Sequence, residues 1–106
     1  MQAQREEEMF AACGGECTLV LRGIACRLTQ EDVKGLLDDA GMRGKLCFIY
    51  VPRIRERNSN MGYAFVRVRS AEYAEECYRL FHGLSFGPSA PNKLCAVTLA
   101  RDQGDE

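Results

Sequence analysis

The stretch NMGYAFVRV, Asn60 to Val68, decides the fold. In an extended chain successive side chains alternate between two faces, so Tyr63, Phe65 and Arg67 point one way and Ala64, Val66 and Val68 the other. The second set is small and smooth, suited to lie beneath helices. The first carries two rings and a cation, and whether it is core or surface depends on how many helices are available to cover it.

Upstream, KLCFIYVP (45–52) is short, apolar and closed by Pro52, a second strand. RIRERNSN (53–60) joins it to NMGYAFVRV as a polar, arginine-rich connection, so the two strands form a hairpin with a long basic loop. TQEDVKGLLDDAG (29–41) reads as a helix, with Thr29 as N-cap, acidic residues in the first turn, Val33, Leu36, Leu37 and Ala40 at helical spacing, and Gly41 as the stop. Before it, CTLVLRGI (17–24) alternates Leu19 and Leu21 against Thr18, Val20 and Arg22, another strand. Downstream, SAEYAEECYRLFHG (70–83) follows the same helical grammar from the Ser70 cap to Gly83. LSFGPSAPN (84–92) is turn-rich, and KLCAVTLAR (93–101) supplies the last strand.

The order is β-α-β-β-α-β, which predicts an α+β, ferredoxin-like domain: a four-stranded antiparallel sheet with two helices on one face. Two helices cannot cover both sides of such a sheet, so one face is open. Ala64, Val66 and Val68 then belong beneath the helices, and Tyr63 and Phe65 on the open face. Right-handed crossovers place their strand beside the first one, bringing Val20 and Arg22 next to the rings. Ile49 and Val51 are candidates for the same face, although the pattern leaves the phase of their strand undetermined.

Planar rings on a rigid sheet can stack with unpaired bases, and nearby arginines can hold phosphates. MGYAFVRV resembles the octapeptide of the RNA recognition motif, and LVLRGI its hexapeptide partner. The resemblance covers Cys17 to Arg101. Strand-ending FIYVP, NMGYAF, FHG after the second helix and ARDQG after the last strand are similar to the C-terminal RNA recognition motif of the Mei-two-like regulators of meiosis and development. The resemblance implies binding of single-stranded RNA, in nucleus or cytoplasm, and post-transcriptional regulation. Tyr63 and Phe65 would stack bases, with Val20 a flat apolar neighbour and Arg22, Arg67, Arg53, Arg55 and Arg57 on phosphates. The chain departs from the pattern where Met61 replaces a basic residue, Val20 an aromatic and Gly23 an asparagine. ACRLT (25–29) stands in place of an Asn/Pro-rich turn. One of three expected stacking rings is therefore missing from the first strand, which predicts little base selectivity. The alternative is a protein-interaction module using the same apolar face.

Charge supports the basic surface once its distribution is resolved. The 106 residues carry a net charge of −1. Residues 17–101 form a basic domain between acidic tails at 1–16 and 102–106. Residues 1 to about 15 read as a mobile tail, with residues 5 to 12 a candidate to fold over the sheet and inhibit it. Six cysteines are scattered without a secretory leader, so they are expected reduced. No apolar run approaches the roughly 20 residues needed to span a bilayer, so no membrane association is expected. His82, the single histidine, reads as a polar helix end favourable to the dipole. GIACRLT (23–29) lacks the glycine-rich cradle of acylphosphatases and the Cys-x-x-Cys pair of copper chaperones. A monomeric, non-catalytic domain without metal or cofactor is expected.

Overall fold

The computed structural model describes residues 15–87 and 93–100. Of the expected acidic tails at 1–16 and 102–106 only Gly15 and Glu16 are described, and the segment 5–12 read as able to cover the sheet lies outside the described residues. Among the described residues six strands form, β1 (Cys17–Arg22), β2 (Leu46–Tyr50), β3 (Arg53–Ile54), β4 (Ser59–Asn60), β5 (Tyr63–Val68) and β6 (Ala96–Leu99), with two α-helices, α1 (Gln30–Leu37) and α2 (Ala71–Phe81). The main sheet runs β2-β5-β1-β6, all antiparallel, with β5 and β1 central as the crossovers require. This is the ferredoxin-like arrangement. The basic connection between β2 and β5 is itself ordered into a second, two-stranded sheet, β3 with β4, pairing Arg53 with Asn60 and Ile54 with Ser59.

Both helices start where the caps dictate. Thr29 accepts from the Asp32 backbone N–H at 3.1 Å while the Asp32 carboxylate accepts from the Thr29 N–H at 3.0 Å, a reciprocal capping box. Ser70 accepts from the Tyr73 N–H at 3.2 Å. Instead of stopping cleanly, α1 widens into a π-helical turn over Asp38–Met42, in which Gly41 takes φ +107°. That extra turn delivers Met42, fully buried, into the core.

The core lies between the helices and one sheet face. Leu19, Leu21, Ala64, Val66, Val68 and Val97 meet Val33, Leu37, Ala74, Cys77 and Phe81 there. Phe86, in the stretch expected to be only turn, is 1% exposed and packs edge-on against Phe81 with ring centroids 5.0 Å apart. A backbone bridge between Ile24 and Phe86 holds it in place. Gly23 occupies the family's asparagine position for a local reason: at φ +80°, a Cβ would come within 2.4 Å of the Leu94 carbonyl oxygen. His82 differs from its expected role. Its Nδ1 accepts from the Val97 N–H at 3.0 Å and its ring stacks on Tyr78 at 4.3 Å, so it ties α2 to β6 as a hydrogen-bond acceptor.

Cys26, Cys47, Cys77 and Cys95 are free thiols, whereas Cys17 is disulfide-bonded, so the expectation of reduced cysteines fails at that position. Burial pushes the Cys77 and Cys95 thiols up to about 12 from an ordinary 9.0. The folded state thus holds both protons more tightly than the unfolded chain. Their contribution to stability is complete below pH 9.0 and is lost as pH rises from there towards about 12. At pH 8, iodoacetamide is expected to label the exposed Cys26 and Cys47 in the native protein and to reach Cys77 and Cys95 only after denaturation. Peptide mass spectrometry reads the difference, and equal labelling of Cys77 and Cys26 would contradict the packing.

Candidate nucleic-acid interface

The two faces of β5 separate as its alternation predicts. Ala64, Val66 and Val68 are fully buried against the helices, and Tyr63, Phe65 and Arg67 are partly exposed on the other side. Register places Arg22 beside Tyr63, Val20 beside Phe65 and Thr18 beside Arg67. On the far side of β1, Val20 is paired with Thr98, so it sits between Phe65 and Thr98 and is only 4% exposed. Val20 therefore fills the sheet surface beneath its neighbours and offers no flat patch of its own.

The aromatic missing from β1 has a counterpart on β2. Strict alternation from Leu46, which pairs with Val68 on the core side, would send Phe48 and Tyr50 inward and Ile49 and Val51 outward. A bulge intervenes: Leu46 pairs with Val68 and Phe48 with Arg67, so Cys47 and Phe48 together oppose one residue. The extra residue reverses the phase. Ile49 then pairs with Val66 on the core side, Val51 is 4% exposed with its N–H donating to Gln30 Oε1 at 3.3 Å, and Phe48 and Tyr50 emerge on the open face, each about half exposed. Ile49 and Val51 are thus not part of this surface, and Tyr50 is. Its ring lies nearly parallel to Phe65, with an interplanar angle of 12° and centroids 6.3 Å apart, while Tyr63 meets Phe65 edge-on at 5.6 Å. Three rings therefore run in a row, Tyr50, Phe65, Tyr63, displaced from β1 towards the sheet edge.

Asn60 fixes the start of β5, and with it this row. It is 2% exposed, its Nδ2 donates to the carbonyls of Ala25 and Leu28 at 2.9 Å each, and its Oδ1 accepts from the Gly62 N–H at 2.6 Å. Its own N–H donates to Cys26 O at 2.8 Å, and the Gly62 carbonyl accepts from Gly23 and Ile24. Gly62, at φ +87°, makes the turn that this clasp requires. The β1–α1 connection and the leading edge of β5 are held as one piece.

Basic groups gather around the rings. Arg22 is exposed beside Tyr63. The β3–β4 hairpin springs from the ends of β2 and β5 that carry Tyr50 and Tyr63, and presents exposed Arg53, Arg55 and Arg57 there. Arg53 is anchored by Asn58 Oδ1 at 2.8 Å, so this element is a shaped arm and not the flexible loop its composition implied. Arg67 lies at the other end, its Nε donating to Thr18 Oγ1 at 3.0 Å and its Nη1 3.4 Å from Glu16 Oε1. Among the described residues, no group of three or more His, Cys, Asp or Glu is arranged to hold a metal ion.

A surface of this kind, with a rigid antiparallel sheet, side-by-side rings and peripheral arginines, can receive planar groups on the rings and anions at the rim. The model of the family described as RNA recognition motif 2 matches residues 16–106. Protein MEI2-like 7 of Oryza sativa subsp. japonica is 33% identical over 108 residues, covering 84% of this chain and 28% of that protein. Protein terminal ear1 homolog of Oryza sativa subsp. indica is 31% identical over 80 residues, covering 74% of this chain and 12% of that protein. The chain thus spans well under a third of these relatives. Among solved structures, the Rna15 RRM with bound RNA (GU) superposes with a TM-score of 0.64 at 19% identity over 81% of this chain and 84% of that one. The Sex-lethal RNA recognition domains 1 and 2 from Drosophila melanogaster give 0.64 at 20% identity over 81% and 50%. These likenesses establish the shared fold.

Proposed function

The chain belongs to the RNA recognition motif 2 family, and from that membership together with its open face we propose that it binds single-stranded RNA as a non-catalytic module. The observation that carries the reading is the row Tyr50, Phe65, Tyr63 on the sheet face opposite α1 and α2, rimmed by Arg22 and the Arg53, Arg55 and Arg57 hairpin. Each ring accepts one base by stacking, worth roughly 1–3 kcal/mol whatever the base. The arginines neutralise the phosphates that join those bases. Tyr50 supplies the third platform that β1 lacks, so adjacent bases lie across β2 and β5. The module acts as a monomer in post-transcriptional regulation, in nucleus or cytoplasm.

The half-exposed Phe48, Tyr50 and Met61 form an apolar surface that also favours a protein partner, and salt separates the two. With three to five phosphate contacts, the logarithm of affinity for a labelled single-stranded RNA is expected to fall with log salt at a slope of about −2 to −3.5. Fluorescence anisotropy across a salt series measures it. No binding at low salt, or binding indifferent to salt, would favour the protein partner instead.

A further inference from the structure

At the end of the open face away from the arginine hairpin, Glu16, Cys47, Phe48 and Arg67 line a cavity of about 430 Å³. The bulge that turns Phe48 outward sets its half-exposed ring beside its cross-strand neighbour Arg67. Arg67 is held in place by Thr18, and the Glu16 carboxylate lies against both Arg67 Nη1 and the Cys47 thiol. Both polar side chains retain access to solvent, at 52% for Glu16 and 26% for Arg67. Their charges cancel, and a carboxylate repels phosphate, so this corner is poorly suited to the backbone contact that the sequence suggested for Arg67.

It is suited to a base edge. A guanidinium N–H beside the two oxygens of a carboxylate presents hydrogen-bonding groups in the order donor, acceptor, acceptor, the order of cytosine's pairing edge. The complement is acceptor, donor, donor, which among the four RNA bases is found only on guanine as O6, N1–H and N2–H. Uracil would set a carbonyl against the second carboxylate oxygen. Adenine and cytosine offer one donor where the carboxylate has two acceptors. We propose that this corner is a guanine pocket, in which the base stacks on Phe48, accepts at O6 from Arg67 and donates from N1 and N2 to Glu16. The proposal rests on the RNA-binding reading and adds to it a base preference that the aromatic row cannot supply.

The test is anisotropy with labelled short oligouridines carrying a single guanosine, inosine, adenosine or no replacement. The guanosine RNA is expected to bind about tenfold tighter than the adenosine and all-uridine RNAs, within the range of one bidentate base contact. Inosine, which lacks the N2 amine, should fall between. Glu16→Gln, at a half-exposed position that circular dichroism should find folded, converts one acceptor into a donor and should abolish the guanosine preference while RNA binding persists. Equal affinity of the wild type for all four RNAs, with each weakened by Phe65→Ala, would overturn the pocket and leave the ring platform standing. Uniformly tighter binding by Glu16→Gln with the preference unchanged would reduce Glu16 to a counter-ion and also overturn it. Binding to none of the RNAs would overturn the pocket together with the RNA-binding reading beneath it.

Discussion

Replacing Asn60 with alanine is expected to destabilise the domain by about 3–5 kcal/mol, well above the typical surface substitution, because it removes three hydrogen bonds that a buried side chain makes to the backbone. The Leu28 carbonyl loses the Asn60 donor, the Ala25 carbonyl is left with the Leu28 N–H alone, and the Gly62 N–H loses its acceptor. For a domain of this size that corresponds to a fall in Tm of at least about 12 °C. Asn60→Asp preserves the shape and separates hydrogen bonding from packing: a carboxylate would face both carbonyls at the 2.9 Å now spanned by the amide. It should be at least as destabilising as alanine at neutral pH. Thermal denaturation followed by circular dichroism measures both. An aspartate variant as stable as the wild type would mean that the clasp contributes volume alone. Because the clasp also sets the angle at which β5 begins, residual folded Asn60→Ala protein should bind RNA more weakly than its stability alone accounts for.

The second large effect falls on the rings. Tyr63→Ala/Phe65→Ala removes two stacking platforms and should weaken single-stranded RNA binding by about 2–6 kcal/mol, roughly 30-fold or more. Phe65 should dominate among the single substitutions, since it stands between Tyr50 and Tyr63 and orients both. Tyr50→Ala should cost about 1–3 kcal/mol, whereas Tyr50→Phe, which keeps the ring, should cost little. Ile49 points into the core, so trimming it should lower stability without a selective effect on affinity. Each comparison requires a folded variant by circular dichroism. A Tyr50→Ala protein with unchanged affinity would confine the platform to β5.

The contrast between Tyr50 and Ile49 marks where reading the sequence succeeds. Thr29, Ser70 and the strict alternation of Tyr63–Val68 are local signals, each sufficient to place an element, and together they give the strand order and the open face. The phase of β2 depends on one extra residue at Cys47, which is visible only in the partner strand. A bulge leaves the composition of its strand unchanged, so periodicity alone leaves the face undetermined. The same limit applies to Asn60. Its role is set by carbonyls more than 30 residues away in the chain, and in sequence it is merely a polar residue before a glycine. Phe86 sits between turn formers, and only Phe81 and the Ile24 bridge explain its burial. The arginine arm is legible in the sequence as basic but not as a two-stranded hairpin, because two-residue strands are too short to produce a periodic signal. Even Val20, placed on the proper face, could not be recognised as covered without its neighbours on β5 and β6.

The proposed function depends on the sheet face opposite α1 and α2 being the surface that meets RNA. Titration of isotopically labelled protein with a short single-stranded RNA, followed residue by residue by NMR, tests that most directly. Shifts concentrated on Tyr50, Tyr63, Phe65, Arg22 and the Arg53–Arg57 arm, with α1 and α2 silent, are the predicted result. Shifts confined to the helices, or spread evenly over the molecule, would contradict it.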